Sequence, residues 1–332
     1  MTVVHPWDYS DTYAYLEKLR SGFGPVIITA AISGGVQGKE ANPALPETPR
    51  ELAQEARRAY EAGASAVHVH FRDPNNQARN TMSLEVAQEA NHLIREACPD
   101  IIINNTTGGG PGTTMPERFE ALQARPEMAS LNLGPDMSRF RIKPRRAPLP
   151  HPHEGYSVDE CFPFTYGIIE DLARHMLEVG IKAEMETYHP GQFWTSRDLI
   201  ERDLIKPPYV FQFVMGYQTS SFPTPANLIS LISELPPNSV FFTCGIGVNQ
   251  VPMTAMSMLL GGHVRVGLED NVYYRRGQLF ESNGQAVERV ARLAREFDRA
   301  VATPAQTRAI LGLSDEPRRF ELPVTAGTMP AQ

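Results

Sequence analysis

Short, continuous apolar runs alternate along this chain with segments that carry apolar residues at helical spacing. Continuous runs are typical of strands that are buried on both faces of a parallel sheet. The segment with Leu52, Ala56 and Tyr60 on one face is typical of the helical ones. The predicted strands lie at 25–31, 65–73, 101–105, 128–133, 181–187, 209–214, 239–244 and 263–270.

Predicted helices follow the strands, and two of them carry clear start signals. Thr48 and Thr224 are expected N-caps, and each precedes a proline at the first helical position. The predicted helices lie at 11–20, 48–63, 84–98, 116–123, 166–179, 198–204, 225–235, 252–260 and 285–302.

Eight strand–helix units over ~290 residues favour one closed (β/α)8 TIM barrel. We expect a single domain over 1–332, with a barrel core at about 24–313 and a C-terminal extension at 314–332 that lies on the barrel or on a neighbour. An open, doubly wound parallel sheet is the alternative.

Composition and net charge indicate which classes of binding partner to expect. The chain has 332 residues, of which 42% are hydrophobic and 21% charged, as in ordinary soluble globular proteins. A net charge of −7 gives no basic surface for nucleic acid. No run of about 18 apolar residues predicts a membrane span. We therefore expect neither nucleic acid nor a membrane as a partner.

Cysteine usage and the first residues bear on location. The three cysteines, Cys98, Cys161 and Cys244, are far apart and odd in number, so they predict no disulfide framework. We expect each to be a small core residue rather than a nucleophile. Residues 1–10 lack the basic-then-apolar order of a signal peptide. Together these features predict a cytoplasmic location.

His68 and His70 lie two positions apart in the second predicted strand. Side chains alternate between faces along a strand, so both imidazoles share one face. Two imidazoles at this spacing can bind one metal ion. Two hydrogen-bonded strand histidines would have the same spacing, so the pair alone leaves both interpretations open.

A catalytic metal site needs a third protein ligand, and Glu269 is the best candidate. It follows the eighth strand, and the carboxyl ends of the strands meet at one rim of such a barrel. Two imidazoles and one carboxylate suit Zn²⁺, although nickel, iron or cobalt fit the same donors. Glu186 is the competing ligand. His151 and His153 lie in a proline-rich loop and are interpreted as a surface or lid feature.

Other polar residues collect at the same rim. Thr106 and the glycines 108–110 follow the third strand and precede a helix, where backbone amides can bind an anion. No dinucleotide fingerprint or P-loop lysine accompanies them, so a carboxylate is the better candidate ligand. Asp270 is either a general base that Arg265 keeps ionised, or one half of a structural ion pair with Arg265.

Several segments carry a resemblance to a known family. The most specific are HVHFRDP at 68–74 and RVGLEDN at 265–271. On these segments the chain resembles the β-keto acid cleavage enzymes of the 3-keto-5-aminohexanoate type over about residues 24–313. Further matching segments lie at 32–35, 42–46, 62–64, 106–109, 130–134, 302–304 and 310–313.

The resemblance implies a zinc-dependent barrel that assembles as a homotetramer. It also implies a reaction in which a β-keto acid and acetyl-CoA give acetoacetate and a new acyl-CoA, by enolate attack on the thioester and retro-Claisen cleavage. By motif, Asp270 would be the base and Arg265 its support. The implied zinc ligands are His68, His70 and Glu269. The implied substrate-carboxylate ligands are Thr106, Gly108, Gly109 and Ser130.

The first loop departs from the family pattern at Val36. Family members that act on an amino-substituted keto acid have an acidic residue there, after two small residues. Valine cannot pair with an ammonium group. The departure predicts a keto acid whose distal group is apolar or needs no carboxylate partner.

Two other functions remain open on the same residues. A metal-dependent aldolase or lyase that works without CoA would use the same ligands and a similar base. A non-catalytic metal- or ligand-binding barrel would need the ligands but not Asp270. Acetyl-CoA dependence separates the first from the proposed reaction, and an Asp270→Asn variant separates the second.

Overall fold

Eight parallel strands close into a barrel in the computed structural model, which describes residues 11–322. Each strand pairs with its neighbours in sequence, and the last pairs with the first. The barrel prediction is confirmed, and the open-sheet alternative is wrong. The strands are β1 (Ile28–Ala31), β2 (Ala66–Val69), β3 (Ile102–Asn105), β4 (Met128–Asn132), β5 (Lys182–Thr187), β6 (Tyr209–Met215), β7 (Ser239–Gly245) and β8 (His263–Val266).

The helices surround the strands and begin where the sequence places caps. Thr48 Oγ1 accepts a hydrogen bond from the Glu51 amide at 3.2 Å, and Thr224 Oγ1 accepts one from the Asn227 amide at 3.3 Å. The helices are α1 (Thr12–Ser21), α2 (Pro49–Glu61), α3 (Leu84–Ala97), α4 (Met115–Leu122), α5 (Tyr166–Glu178), α6 (Phe193–Glu201), α7 (Pro225–Ser233), α8 (Gln250–Leu259), α9 (Asn283–Glu296) and α10 (Pro304–Leu311).

The barrel interior is apolar at one end and polar at the other. Near the amino ends of the strands, Ile27, Ile102 and Phe242 belong to one buried apolar cluster. Toward the carboxyl ends of the barrel strands lie buried polar side chains, such as His68 on β2 and Arg265 on β8. Buried polar groups cost free energy unless they are partnered or used. The carboxyl end of the barrel is therefore where the site lies.

Antiparallel hairpins extend three of the strand-to-helix connections. They pair Phe71–Asp73 with Asn76–Thr81, Asp136–Ile142 with Tyr156–Phe162, and Tyr273–Arg275 with Gln278–Leu279. The second, hereafter the 136–162 hairpin, lies in the long connection between β4 and α5, which is rich in Pro, Arg and His. The sequence pattern predicts no strand there, because the hairpin strands are mostly solvent-exposed and no apolar run marks them.

Two predicted helices differ from the observed ones. The helix expected at 285–302 ends at Glu296, and Asp298 then adopts φ 53°. The apolar residues beyond it form a bridge in which Val301 pairs with Val26 at the amino end of the barrel. The helix expected at 198–204 instead runs over 193–201.

The remaining predictions concern the cysteines and the chain ends. Cys98 and Cys244 are buried as expected, but Cys161 is exposed on the 136–162 hairpin, so the core prediction was wrong there. The described part of the C-terminal extension lies on the barrel, where the Arg318 amide donates to Glu127 Oε1 at 3.1 Å. Residues 1–10 and 323–332, with the signal-peptide prediction and the rest of the extension, lie outside the described residues. Within 11–322, no helix is both long and apolar enough to span a bilayer.

Candidate active site

Three side chains converge where β2 and β8 end. The Nε2 atoms of His68 and His70 lie 3.8 and 3.3 Å from Glu269 Oε1. One ligand atom from each residue lies within 4.8 Å of the other two, and no other His, Cys, Asp and Glu group of this kind occurs in residues 11–322. The competing ligand Glu186 is not in this cluster. Its Oε1 accepts a hydrogen bond from Arg265.

The donor set fits a divalent cation. His68 Nδ1, His70 Nδ1 and Glu269 Oε2 are buried without a hydrogen-bond partner, which is costly unless the cluster binds something. Burial and the Arg265 charge hold the pKa of His68 well below its usual value, so the imidazole is neutral. Burial opposes ionisation of Glu269, but the pKa of Glu269 is lowered, chiefly by the Arg265 charge. These are the protonation states that bind a metal ion.

Arg265 connects the cluster to the neighbouring carboxylates. Its guanidinium donates to Glu186 Oε1 at 3.0 Å and to Glu269 Oε1 at 2.5 Å. It also forms a two-pronged pair with Asp270, at 3.2 Å from Nε to Oδ2 and 3.0 Å from Nη2 to Oδ1. Arg265 thus pairs with three carboxylates, those of Glu186, Glu269 and Asp270. One positive charge does not neutralise three carboxylates, so the cluster favours a bound cation.

Asp270 has the surroundings of a general base. Burial raises its pKa to about 6, against the opposing charge of Arg265. A base is most effective when its pKa lies near the working pH. The Arg265 pair fixes the direction of the carboxylate, so Asp270 is both oriented and able to accept a proton.

Two residues hold the backbone of the cluster in place. Ser33 Oγ donates to the His70 carbonyl at 2.8 Å and accepts from the His70 amide at 3.0 Å. Asn283 accepts from the Leu268 amide at 2.9 Å and donates to the Ile32 carbonyl at 3.0 Å. These bonds tie the exits of β1, β2 and β8 together, so the three side chains are preorganised.

A cavity of about 470 Å³ opens over the cluster at the carboxyl end of the barrel. Its volume suits a small organic ligand. His70, Glu269 and Asp270 line it on one side, and Thr106 and Gly108 line it on another. Val36 also lines it, so the residue that departs from the family pattern faces the cavity.

The loop after β3 forms part of the cavity wall. Thr106 Oγ1 accepts hydrogen bonds from the Gly108 amide at 2.9 Å and the Gly109 amide at 3.3 Å. Ser130 is fully buried and does not line the cavity; its Oγ accepts from the Thr107 amide at 3.0 Å. Ser130 therefore supports this loop from behind. A β-carbon on Gly35 would overlap the Gly109 carbonyl oxygen, so glycine is needed where the first and third loops touch.

Residues 25–313 match the family described as beta-keto acid cleavage enzyme. The chain belongs to the beta-keto acid cleavage enzyme family. The family expectation drawn from the HVHFRDP and RVGLEDN segments is thus confirmed.

The chain matches curated relatives over nearly the whole length of each relative. A 3-keto-5-aminohexanoate cleavage enzyme of Acetoanaerobium sticklandii is 40% identical over 289 residues, which are 87% of this chain and 98% of the relative. A 3-oxoadipate:acetyl-CoA acetyltransferase of Cupriavidus necator is 34% identical over 295 residues, covering 87% and 95%. Among solved structures, apo ObcA superposes with a TM-score of 0.67 at 18% identity, covering 82% of this chain and 66% of the other, which supports the barrel fold.

Sequence reasoning missed one wall of the cavity in this family member. Asp136 and Phe140, from the 136–162 hairpin, line the cavity together with Tyr188 and Tyr217 from the loops after β5 and β6. The sequence signal for this strand is the alternation of Phe140 and Ile142 with Arg139 and Arg141. It does not mark Asp136, which is buried beside an exposed Met137. The proline-rich, charged surroundings of the hairpin hid this pattern.

Proposed function

We propose that this beta-keto acid cleavage enzyme converts a β-keto acid and acetyl-CoA into acetoacetate and a new acyl-CoA, with Zn²⁺ bound by His68, His70 and Glu269. The observation that carries the proposal is a buried His–His–Glu donor set beside an oriented carboxylate in one cavity. The names of the relatives, which include acetyl-CoA-dependent transferases of keto acids, support the two substrates.

The bound zinc would polarise the keto carbonyl as a Lewis acid. Asp270 then removes a proton from C2 of the keto acid, and Arg265 holds Asp270 in position. Thr106, Gly108 and Gly109 bind the substrate carboxylate. Ser130 positions their loop, because its Oγ accepts a hydrogen bond from the Thr107 amide.

The bond changes balance without a further reactant. C2 of the keto acid forms a bond to the acetyl carbonyl carbon, and the CoA thiolate leaves. The thiolate adds to the original keto carbon, the bond between C2 and that carbon breaks, and the proton that Asp270 took returns to C2. The products are acetoacetate, which keeps C1 and C2 of the keto acid, and an acyl-CoA that carries the remainder.

Mass spectrometry with acetyl-CoA labelled in both acetyl carbons tests the proposal. The enzyme is incubated with a panel of β-keto acids, with and without a chelator. We expect both labelled carbons in acetoacetate, an unlabelled new acyl-CoA, and loss of both products after chelation. Cleavage without acetyl-CoA would instead favour the aldolase or lyase function, and metal binding without turnover would favour the non-catalytic barrel.

A buried arginine behind the loop after β3 gives a testable prediction. Arg118 donates to the carbonyls of Thr107, at 2.6 Å, and Gly108, and its guanidinium lies 4.9 Å from the Phe164 ring centroid. Lysine keeps the charge but loses the planar fork. Arg118→Lys is expected to raise KM for the keto acid by about tenfold with a smaller change in kcat, since a binding loop is displaced.

Steady-state kinetics with the keto acid varied at saturating acetyl-CoA measures this split. Arg197→Lys, on an exposed face of α6, is the matched control and should leave both constants unchanged. Equal losses in kcat and kcat/KM with an unchanged KM would show that Arg118 does not position the carboxylate-binding loop.

Four further points stay predictions. Zinc is proposed over nickel, iron and cobalt on the donor set, and metal analysis of the purified protein decides among them. The homotetramer, the cytoplasmic location and the single domain over 1–332 rest on the family resemblance and the sequence pattern.

A further inference from the structure

The hairpin side of the cavity carries a buried carboxylate that forms no ion pair among residues 11–322. Asp136 is 5% exposed and lines the cavity. Its one side-chain hydrogen bond comes from Ser138 Oγ at 3.4 Å, and no Lys, Arg or His of residues 11–322 forms an ion pair with it. Burial and the nearby charge of Glu186 raise the pKa of Asp136 to about 6, although the Ser138 hydrogen bond and the charge of Arg118, which lies beyond ion-pair distance, oppose them. A positive ligand group would relieve both effects.

Three aromatic rings surround this part of the cavity. The ring centroid of Tyr217 lies 6.0 Å from that of Phe140 and 5.5 Å from that of Tyr188, and all three rings line the cavity. In the described part of the chain, no Lys or Arg stacks on any of them. Aromatic faces attract cations, most strongly where water is excluded.

A second acceptor in the same wall also lacks a partner. Asn132 Oδ1 is buried, lines the cavity and receives no hydrogen bond, while its Nδ2 donates to the Tyr188 hydroxyl at 3.3 Å. A buried amide oxygen without a donor is costly. The wall therefore offers a carboxylate, an amide oxygen and aromatic faces, which together complement a positively charged N–H donor.

This wall lies next to the catalytic cluster. The Tyr188 hydroxyl donates to Glu186 Oε2 at 3.3 Å, and Glu186 Oε1 accepts from Arg265 at 3.0 Å. One glutamate side chain thus separates the aromatic wall from the arginine that orients Asp270. The loop after β3 and this wall line the same cavity, so one substrate can contact both.

We propose that Asp136 and Asn132, with the rings of Phe140, Tyr188 and Tyr217, form a subsite for a positively charged amine at the distal end of the keto acid. The proposal rests on the function proposed above and narrows its substrate class. With Val36, the first loop lacks the acidic side chain of family members that act on amine-bearing keto acids. Asp136 supplies a carboxylate from the 136–162 hairpin instead, so Val36 does not by itself exclude an amine-bearing substrate.

Binding measured without acetyl-CoA tests the subsite separately from catalysis. The probes are β-keto acids that carry an ammonium group on the first, second or third carbon beyond the keto carbon, each paired with its neutral methyl isostere. Isothermal titration calorimetry on the zinc-loaded enzyme gives the ratio of Kd values in each pair. We expect at least one ammonium probe to bind about tenfold or more tightly than its isostere.

Two variants assign the preference to this wall. Asp136→Asn should bring the ratio of Kd values close to one, and Tyr217→Leu should reduce it while keeping an apolar side chain there. Asp159→Asn, an exposed change on the other strand of the same hairpin, is the matched control and should keep the wild-type ratio. Circular dichroism confirms that each variant is folded, and Tyr217→Leu serves as the test if Asp136→Asn is not.

The outcomes separate the two proposals. A wild-type ratio near one for every pair, or a preference that survives both variants, overturns the amine subsite while labelled acetoacetate from neutral keto acids would still support the reaction. A preference for the ammonium probes with no acetyl-CoA-dependent product from any keto acid overturns the reaction and leaves the cation-binding wall in place.

Discussion

Asp270→Asn is expected to lower kcat by about 10²–10⁴-fold while the bound zinc content stays at the wild-type value. Asparagine has the same shape but cannot accept the C2 proton. The Asp270 carboxylate is not one of the three clustered ligand atoms, so its loss leaves the His–His–Glu set complete. Steady-state kinetics and metal analysis on the same preparation measure both quantities.

The matched control is Asp198→Asn, which breaks an Asp–Arg pair with Arg202 on the exposed side of α6. That change should alter kcat by no more than about twofold, since exposed pairs contribute little. Wild-type activity in Asp270→Asn would contradict its role as base and favour the non-catalytic barrel. A simultaneous loss of zinc would show that Asp270 supports the metal site instead.

His70→Ala is expected to abolish metal retention during dialysis and to lower activity by at least about 10²-fold. The His70 imidazole has no hydrogen-bond partner at Nδ1, and Ser33 holds the His70 backbone rather than its ring. The substitution therefore removes a ligand atom and the 3.3 Å contact of His70 Nε2 with Glu269 Oε1, and it leaves the backbone bonds to Ser33 in place. Metal content per chain and acetoacetate production are the measurements.

Two comparisons make this result specific. His153→Ala removes a histidine of the other His-x-His pair, in the 136–162 hairpin, and should retain both metal and activity. Glu269→Gln should lose the metal, whereas Glu186→Gln should keep it, because Glu186 binds Arg265 and lies outside the ligand cluster. The reverse pattern would make Glu186 the third ligand.

The barrel was predictable because its strands are buried on both faces. Such strands leave short apolar runs, and the strands predicted at 101–105 and 239–244 differ from β3 and β7 by one residue each. The 136–162 hairpin was missed because an exposed antiparallel pair needs no apolar run. The apolar residues 300–302 misled the prediction of α9, because they pack at the amino end of the barrel outside any helix.

The metal cluster was predictable in part for a geometric reason. Strand alternation places His68 and His70 on one face, and barrel closure brings the end of β8 beside β2 through β1. The sequence left Glu186 and Glu269 as alternative third ligands, since both lie at the rim. The distances distinguish them, because only Glu269 lies with His68 and His70 in the cluster. Asp136 was not predictable as a wall residue, because its position depends on how the hairpin folds over the cavity.

One diffraction experiment tests the central claim of a metal bound by His68, His70 and Glu269. Anomalous difference maps from crystals of the purified enzyme, collected above and below the zinc absorption edge, locate any bound zinc directly. The account predicts one peak enclosed by the two imidazoles and the Glu269 carboxylate. A peak elsewhere, or none at these side chains in protein that cleaves keto acids, would contradict it.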